Sequence, residues 1–335
     1  NYQKGETIMK KTRKFFAVLL SAAMVGAFSI AITGCGEEET AENASLTIVE
    51  QYGMAYAPLK VMQEQKLIEK NYNGDVEIEW ATLNSGAAIT ESFASGDVQV
   101  GAMGVGPAIT GALSGVGFKI CSNMSAQPHK IMTNDDSIQS VADIGSDDKI
   151  ALVNEGSFQH IVLAMQCKET LGEAHALDEN ISAMAHPDGM SALIAGSVSC
   201  QLTTSPFTFK EEAEGMSEVG NLADVWPEGN SFIVLCATEK LHEDNPELYD
   251  AVVAACAEAI NWINDNPQEA AELLCEDEGV DAETMLSWLE DPACVYNTEV
   301  KGIMDFHDFM AENDFLEVDP AESINDLVFD NVKGK

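Results

Sequence analysis

Hydrophobic and polar positions alternate along this chain with two different periods. Leu46-Thr47-Ile48-Val49 reads as a strand that runs out at Gln51-Tyr52-Gly53, and Pro58 opens a helix through about Glu69. Val76, Ile78 and Trp80 alternate with acids, as on a half-exposed strand. Ser85-Gly86 begin a helix with Ile89 and Phe93 on one face. Asp97 to Met103 is a short strand, Pro107 opens a further helix, and Phe118 to Cys121 is a fourth strand. This βαβα order predicts a parallel or mixed sheet covered by helices.

The pattern then restarts. Val141 to Ile144 leads into a strand at Lys149 to Val153, and Glu155-Gly156-Ser157 open a helix with Phe158, Ile161 and Met165 on one stripe. Ile181 to Met184 is a strand, His186-Pro187-Asp188-Gly189 lead into a helix through Ala195, and Val198 to Leu202 is another strand. Ser231 to Ala237 is an apolar strand that returns to the first unit. Asn245-Pro246 and Asn266-Pro267 are cap-plus-proline helix starts, and Leu248, Val252, Cys256, Ile260 and Ile263 form one core stripe. Two α/β lobes with a helical C-terminal tail are expected.

The first 34 residues follow neither period. Lys10, Lys11, Arg13 and Lys14 precede an apolar run from Phe15 to Ile32, the basic and apolar regions of a secretory signal. The run approaches membrane-spanning length, but Ile32-Thr33-Gly34-Cys35 resembles the bacterial lipobox, in which the cysteine is lipidated and becomes the new N-terminus. Residues 1–34 are therefore expected to be leader and signal peptide, and residues 35–45 a lipidated Cys35 with an acidic tether. This places the mature chain on the outer face of the bacterial cytoplasmic membrane. Glu6 is out of place in a basic leader, and Lys4-Gly5-Glu6 can be encoded by a purine-rich ribosome-binding sequence just before a start codon, so Met9 is expected to be the true start. N-terminal sequencing of a signal-blocked form that began at Asn1 would overturn this.

Charge sharpens the reading. The 335 residues carry 56 acidic and 17 basic side chains, a formal net charge of −39. Residues 1–34 hold five of the basic residues and one acid, which leaves 12 lysines, no arginine and 55 acids. Nucleic acid is excluded as a partner, because phosphate neutralisation needs clustered cations. A bidentate guanidinium clamp on an anion is equally absent. The seven cysteines after Cys35 are widely spaced, and most sit among apolar residues and read as small buried hydrophobes, not as a disulfide or metal framework.

Gln51-Tyr52-Gly53-Met54-Ala55-Tyr56-Ala57-Pro58-Leu59 resembles the strand-to-helix entry of extracytoplasmic substrate-binding proteins of the nitrate/sulfonate/taurine and thiamine-precursor (NMT1/THI5-like) family. Leu83 to Ala88, Ala94-Ser95-Gly96-Asp97-Val98-Gln99-Val100-Gly101, the Gly104-Val105-Gly106-Pro107 turn, and Val141-Ala142-Asp143-Ile144-Gly145 with Lys149 to Val153 are similar to its further signatures. Ala192 to Ser199 departs from the pattern in having Ser199 where the family has an acid. The resemblance runs from about Leu46 to Leu316. It implies a two-lobed periplasmic-binding-protein type II fold, each lobe a mixed sheet flanked by helices: residues 46–128 with 231–335, and 129–230. It further implies a monomeric, non-enzymatic binding lipoprotein that delivers a small solute to an ABC permease and ATPase.

Strand-end loops supply the candidate ligand-binding residues. In the first lobe these are Gln51, Tyr52, Met54 and Tyr56, then Asn84, Ser85 and Gly86, then Met103 and Gly104. The second lobe offers Glu155, Ser157, Phe158 and His160, then His186 and Asp188, then Ser205 and Phe207. Ser85-Gly86 and Gly156-Ser157 present backbone N–H groups that suit an acceptor, as well as plain capping. The tyrosines suit a flat ring. Catalytic signatures such as G-x-S-x-G, G-x-x-x-x-G-K-[ST] and H-E-x-x-H are absent, as is the cysteine-rich motif of the family's pyrimidine-synthesising enzymes. No cofactor is expected, and six scattered histidines make no metal site. A flat heterocycle such as a thiamine-precursor pyrimidine is the expected ligand; a small anion, or a sensing role that presents solute to a membrane receptor, is the alternative.

Overall fold

A computed structural model describes residues 44–334. The signal-peptide, lipidation and tether expectations up to residue 43 lie outside the described residues. In chain order the elements are β1 (Ala44–Glu50), α1 (Ala57–Gln65), α2 (Leu67–Asn71), β2 (Val76–Thr82), α3 (Gly86–Ser95), β3 (Val100–Gly104), α4 (Val105–Leu113), β4 (Phe118–Ala126), β5 (His129–Thr133), β6 (Ile150–Leu152), α5 (Phe158–Leu171), β7 (Ile181–Ala183) and α6 (His186–Ile194). There follow β8 (Cys200–Thr204), α7 (Phe207–Ala213), β9 (Ser217–Glu218), β10 (Ile233–Thr238), α8 (Glu239–Asp244), α9 (Pro246–Asp265), α10 (Pro267–Glu278), α11 (Ala282–Leu289), β11 (Val295–Tyr296) and α12 (Ile303–Glu312).

The strands form two mixed sheets, ordered β11-β4-β10-β3-β1-β2 and β7-β6-β8-β5-β9. In each sheet three strands run parallel: β2-β1-β3 in the first and β7-β6-β8 in the second. Antiparallel β10 and β5 pair with β3 and β8, and each is the first strand after a crossover. β4 and β11 continue the first sheet beyond β10, and β9 edges the second beyond β5. The chain leaves the first sheet after β4 through Gln127-Pro128 and returns between β9 and β10. The last segment returns too, through β11 and a bridge between Ile120 and Val328. Both lobes are thus built on parallel βα units whose carboxyl ends face one cleft.

Three expectations are corrected. The helix opened by Pro58 breaks at Lys66, whose φ of 53° is left-handed, so two short helices stand where one was predicted. The strand begun at Phe118 continues to Ala126, because it must pair with the long apolar β10. His129–Thr133 is a strand the alternation did not single out, since its Ile131, Met132 and Thr133 are buried on both faces and carry no period of two.

Candidate functional site

The strand ends position the site. Glu50 closes β1 and hands over to Gln51, Tyr52 and a short 3-10 turn at Met54–Tyr56. Gln51 Nε2 donates to Tyr56 Oη at 2.5 Å, which fixes both side chains and leaves the phenolic hydrogen to point elsewhere. Burial holds the Tyr56 phenol protonated well above its ordinary value. Ser85 caps α3 by accepting from the Ala88 N–H at 3.1 Å, and Ser157 caps α5 by accepting from the His160 N–H at 3.2 Å. Two helix N-termini, one from each lobe, therefore open at the cleft.

Gln51, Tyr52, Tyr56, Asn84, Gly86, Gly104 and Pro107 on one side, with Val153, Ser157, Phe158, Gln159, His186 and Thr204 on the other, line one pocket, with Phe232 and Ile233 beside them. Among the described residues, no acidic or lysine side chain lines it. His186 is its one titratable imidazole. Burial lowers it to about 4, so it is neutral at pH 7. Its ring stacks on Phe207 at 5.5 Å, and its two nitrogens lie 3.3 Å from Thr203 Oγ1 and 3.4 Å from Gln159 Nε2. The pocket's chemistry is amide, hydroxyl and neutral imidazole groups between aromatic walls.

Phe158 joins the lobes. From the first turn of α5 it reaches into an aromatic nest, stacked on Phe306 at 5.2 Å and lying 4.8 Å from Phe232 and 4.5 Å from His129. Gly104 makes room for it: a Cβ there would stand 2.9 Å from Phe158 Cβ. Gly53 does the same at the far end of the cleft, where its φ of 115° brings the backbone to the Ser205 carbonyl and a Cβ would sit 3.0 Å from that oxygen.

The other candidates lie around this pocket. Met54 is buried and faces an adjoining recess beyond Tyr56, walled also by Glu50, Lys60, Trp80 and Asp277. Burial raises the Glu50 carboxyl to about 7 against the opposing pull of Lys60. Ser85 acts through its cap, and Met103 is fully buried. Ser205 donates to Gln127 Oε1 at 2.5 Å, and Phe207 backs His186. His160 turns away to Gly156 and Asp178. Glu155 and Asp188 are exposed and stand outside the pocket lining. Pro107, Val153, Gln159, Thr204, Phe232 and Ile233 were missed. Gln159 and Thr204 each sit one residue from positions that were named, while Phe232 and Ile233 lie just before and at the start of antiparallel β10, which the rule of strand carboxyl ends overlooks.

The sequence pattern of the NMT1-like family matches residues 39–276. This chain belongs to the NMT1-like family. No curated protein matches it. Among solved structures, it is similar to the periplasmic aliphatic sulphonate binding protein SsuA from Escherichia coli (19% identity, TM-score 0.68, covering 87% of this chain and 99% of that one). The alkanesulfonate-binding protein SsuA from Xanthomonas axonopodis pv. citri, bound to MOPS, is 17% identical with a TM-score of 0.69 over 82% of this chain and 95% of that one. The periplasmic nitrate-binding protein NrtA from Synechocystis PCC 6803 is 14% identical with a TM-score of 0.68 over 87% and 86%. At these identities the NMT1-like chain shares with them the two-lobed periplasmic-binding-protein fold.

Proposed function

We propose that this chain is the extracytoplasmic solute-binding component of an ABC importer, exported and anchored through lipid on Cys35. Residues 46–128 with 231–335, and 129–230, are its two lobes, and they close around a small organic solute for delivery to a permease and ATPase. The observation that carries the ligand class is the uncharged lining of the pocket. A fully charged solute would leave water there without a countercharge, at a cost of several kcal/mol. The reading therefore favours an uncharged, flat, polar heterocycle, held by Gln51, Tyr56, Asn84 and Gln159 and covered by Tyr52.

Thermal-shift measurements on the full chain test this. One set of solutes holds uncharged pyrimidines and riboflavin; the other holds nitrate, taurine and alkanesulfonates. A ligand at about a hundred times its Kd stabilises the fold by about 2.7 kcal/mol, a visible shift in Tm. Shifts with a heterocycle, abolished by Tyr56→Phe or Gln51→Ala, are expected. Shifts with the anions alone would overturn the ligand class and favour the second reading, in which the N-termini of α3 and α5 hold a small anion. The anchor is tested by labelling with a palmitate analogue, which Cys35→Ser should abolish.

A further inference from the structure

The lobes also meet away from the pocket, beside the loop that joins α5 to β7. Asp178 in that loop holds two histidines with one carboxylate: Oδ1 lies 3.0 Å from His160 Nε2, and Oδ2 lies 2.7 Å from His175 Nδ1. His160 Nδ1 accepts from the Gly156 N–H at 2.9 Å, so its single proton is on Nε2 and it donates to Asp178. Here the carboxylate is positioned by a neutral imidazole. His175 differs. Its Nε2 lies 2.7 Å from the carbonyl oxygen of Asn313, the residue that ends α12. α12 packs on α4, which follows β3, so this contact crosses from the second sheet's lobe to the first.

A carboxylate and a carbonyl can only accept. For both short contacts to be hydrogen bonds, both nitrogens of His175 must carry protons, and the ring must be an imidazolium. The surroundings favour that charge. Asn313 stands at the C-terminal, negative end of the α12 dipole. On the loop side, His175 faces Asp178 and the Glu173 carboxylate, which lies 3.3 Å from its backbone N–H. On the other side, Glu312 and Asp314 flank Asn313 in sequence. The Phe315 ring lies 4.5 Å from the His175 ring and meets the His160 ring edge-on at 5.2 Å.

We propose that His175 is a proton-operated clasp between the two lobes: its doubly protonated ring ties Asp178 to the Asn313 carbonyl, and acidification favours the closed form. Asp178 and the Asn313 carbonyl hold the imidazolium above its ordinary value. The closed form therefore binds the proton more tightly than an open form in which Asn313 has moved away. The closed contact is complete below the ordinary histidine value of 6.5 and is lost as pH rises through the raised one. A neutral ring keeps one N–H and must give up one of its two partners. His129 and His186, lowered by burial to about 3 and about 4, stay neutral throughout this range.

The clasp deepens the solute-binding reading but is tested without solute, so failure to find a ligand leaves the result unaffected. In the ligand-free full chain, 15N NMR of the imidazoles should find both His175 nitrogens protonated at about pH 6 and a midpoint above the ordinary value. Small-angle X-ray scattering should show the radius of gyration growing between about pH 5.5 and 8.5, as the closed-to-open ratio falls about two- to fivefold, the range of an exposed charged contact. His175→Gln, on a half-exposed loop, should fold normally and lose the pH response. A flat wild-type radius, an unchanged response in His175→Gln, or a His175 midpoint at or below the ordinary value would each overturn the clasp.

Discussion

Glu211 is fully buried on α7, and neither of its carboxylate oxygens has a hydrogen-bond partner among the described residues. Burial raises its carboxyl from 4.5 to about 8. The folded state thus holds a proton that the unfolded chain releases, so this residue's contribution to stability is best below pH 4.5 and is lost as pH rises to about 8. At pH 7 the cost is on the order of 3 kcal/mol. Glu211→Gln should open a Tm gap over the wild type that is small near pH 4 and grows steadily to pH 8; a gap independent of pH would refute the assignment. The cysteines carry a second residue-scale expectation. Of the seven after the tether, six are buried, and burial pushes thiols such as Cys200 and Cys294 up to about 11 and about 12. Mass spectrometry after brief iodoacetamide treatment at pH 7.5 should find Cys275, the half-exposed one, alkylated first among them. Their burial was legible in the sequence from their apolar neighbours, whereas the isolation of Glu211, on a helix with a mixed pattern, was not.

At the scale of elements, the local signals that held were capping signals. Ser85, Ser157 and Asn245 each accept a backbone N–H at a helix start, and the Pro-led α9 begins where its cap placed it. Asn266 starts α10 as expected but its side chain makes no cap, and Asp281, which the sequence reading did not single out, caps α11. Ser157→Ala should cost about 1 kcal/mol in chemical denaturation, and a loss of solute affinity beyond that would mark the α5 N-terminus as part of the ligand contact. The break at Lys66 carried no such signal. It has neither glycine nor proline, and the left-handed turn there is followed by α2, which packs on α9, about two hundred residues further on. Tertiary contact overrode a continuous local helix.

At the scale of the molecule, the cleft depends on two glycines facing across it. Gly104→Val should lower Tm by several degrees, because a Cβ at Gly104 would stand 2.9 Å from the Cβ of the buried Phe158 across the cleft. It should widen the scattering radius and weaken solute binding by about tenfold or more, the scale of overpacking by one side chain. Unchanged affinity would mean that Phe158 and Gly104 do not meet in the bound form. The sequence by itself determined the alternating units, the helix starts, the acidic surface and the loops that reach the cleft, because periodicity, caps and charge are set by residues near in the chain. Only the tertiary structure decided that Phe232 and Ile233 join the pocket, that His160 faces Asp178, and that His175 reaches Asn313. Those outcomes depend on which strands pair and which lobes touch, over separations that no local period encodes.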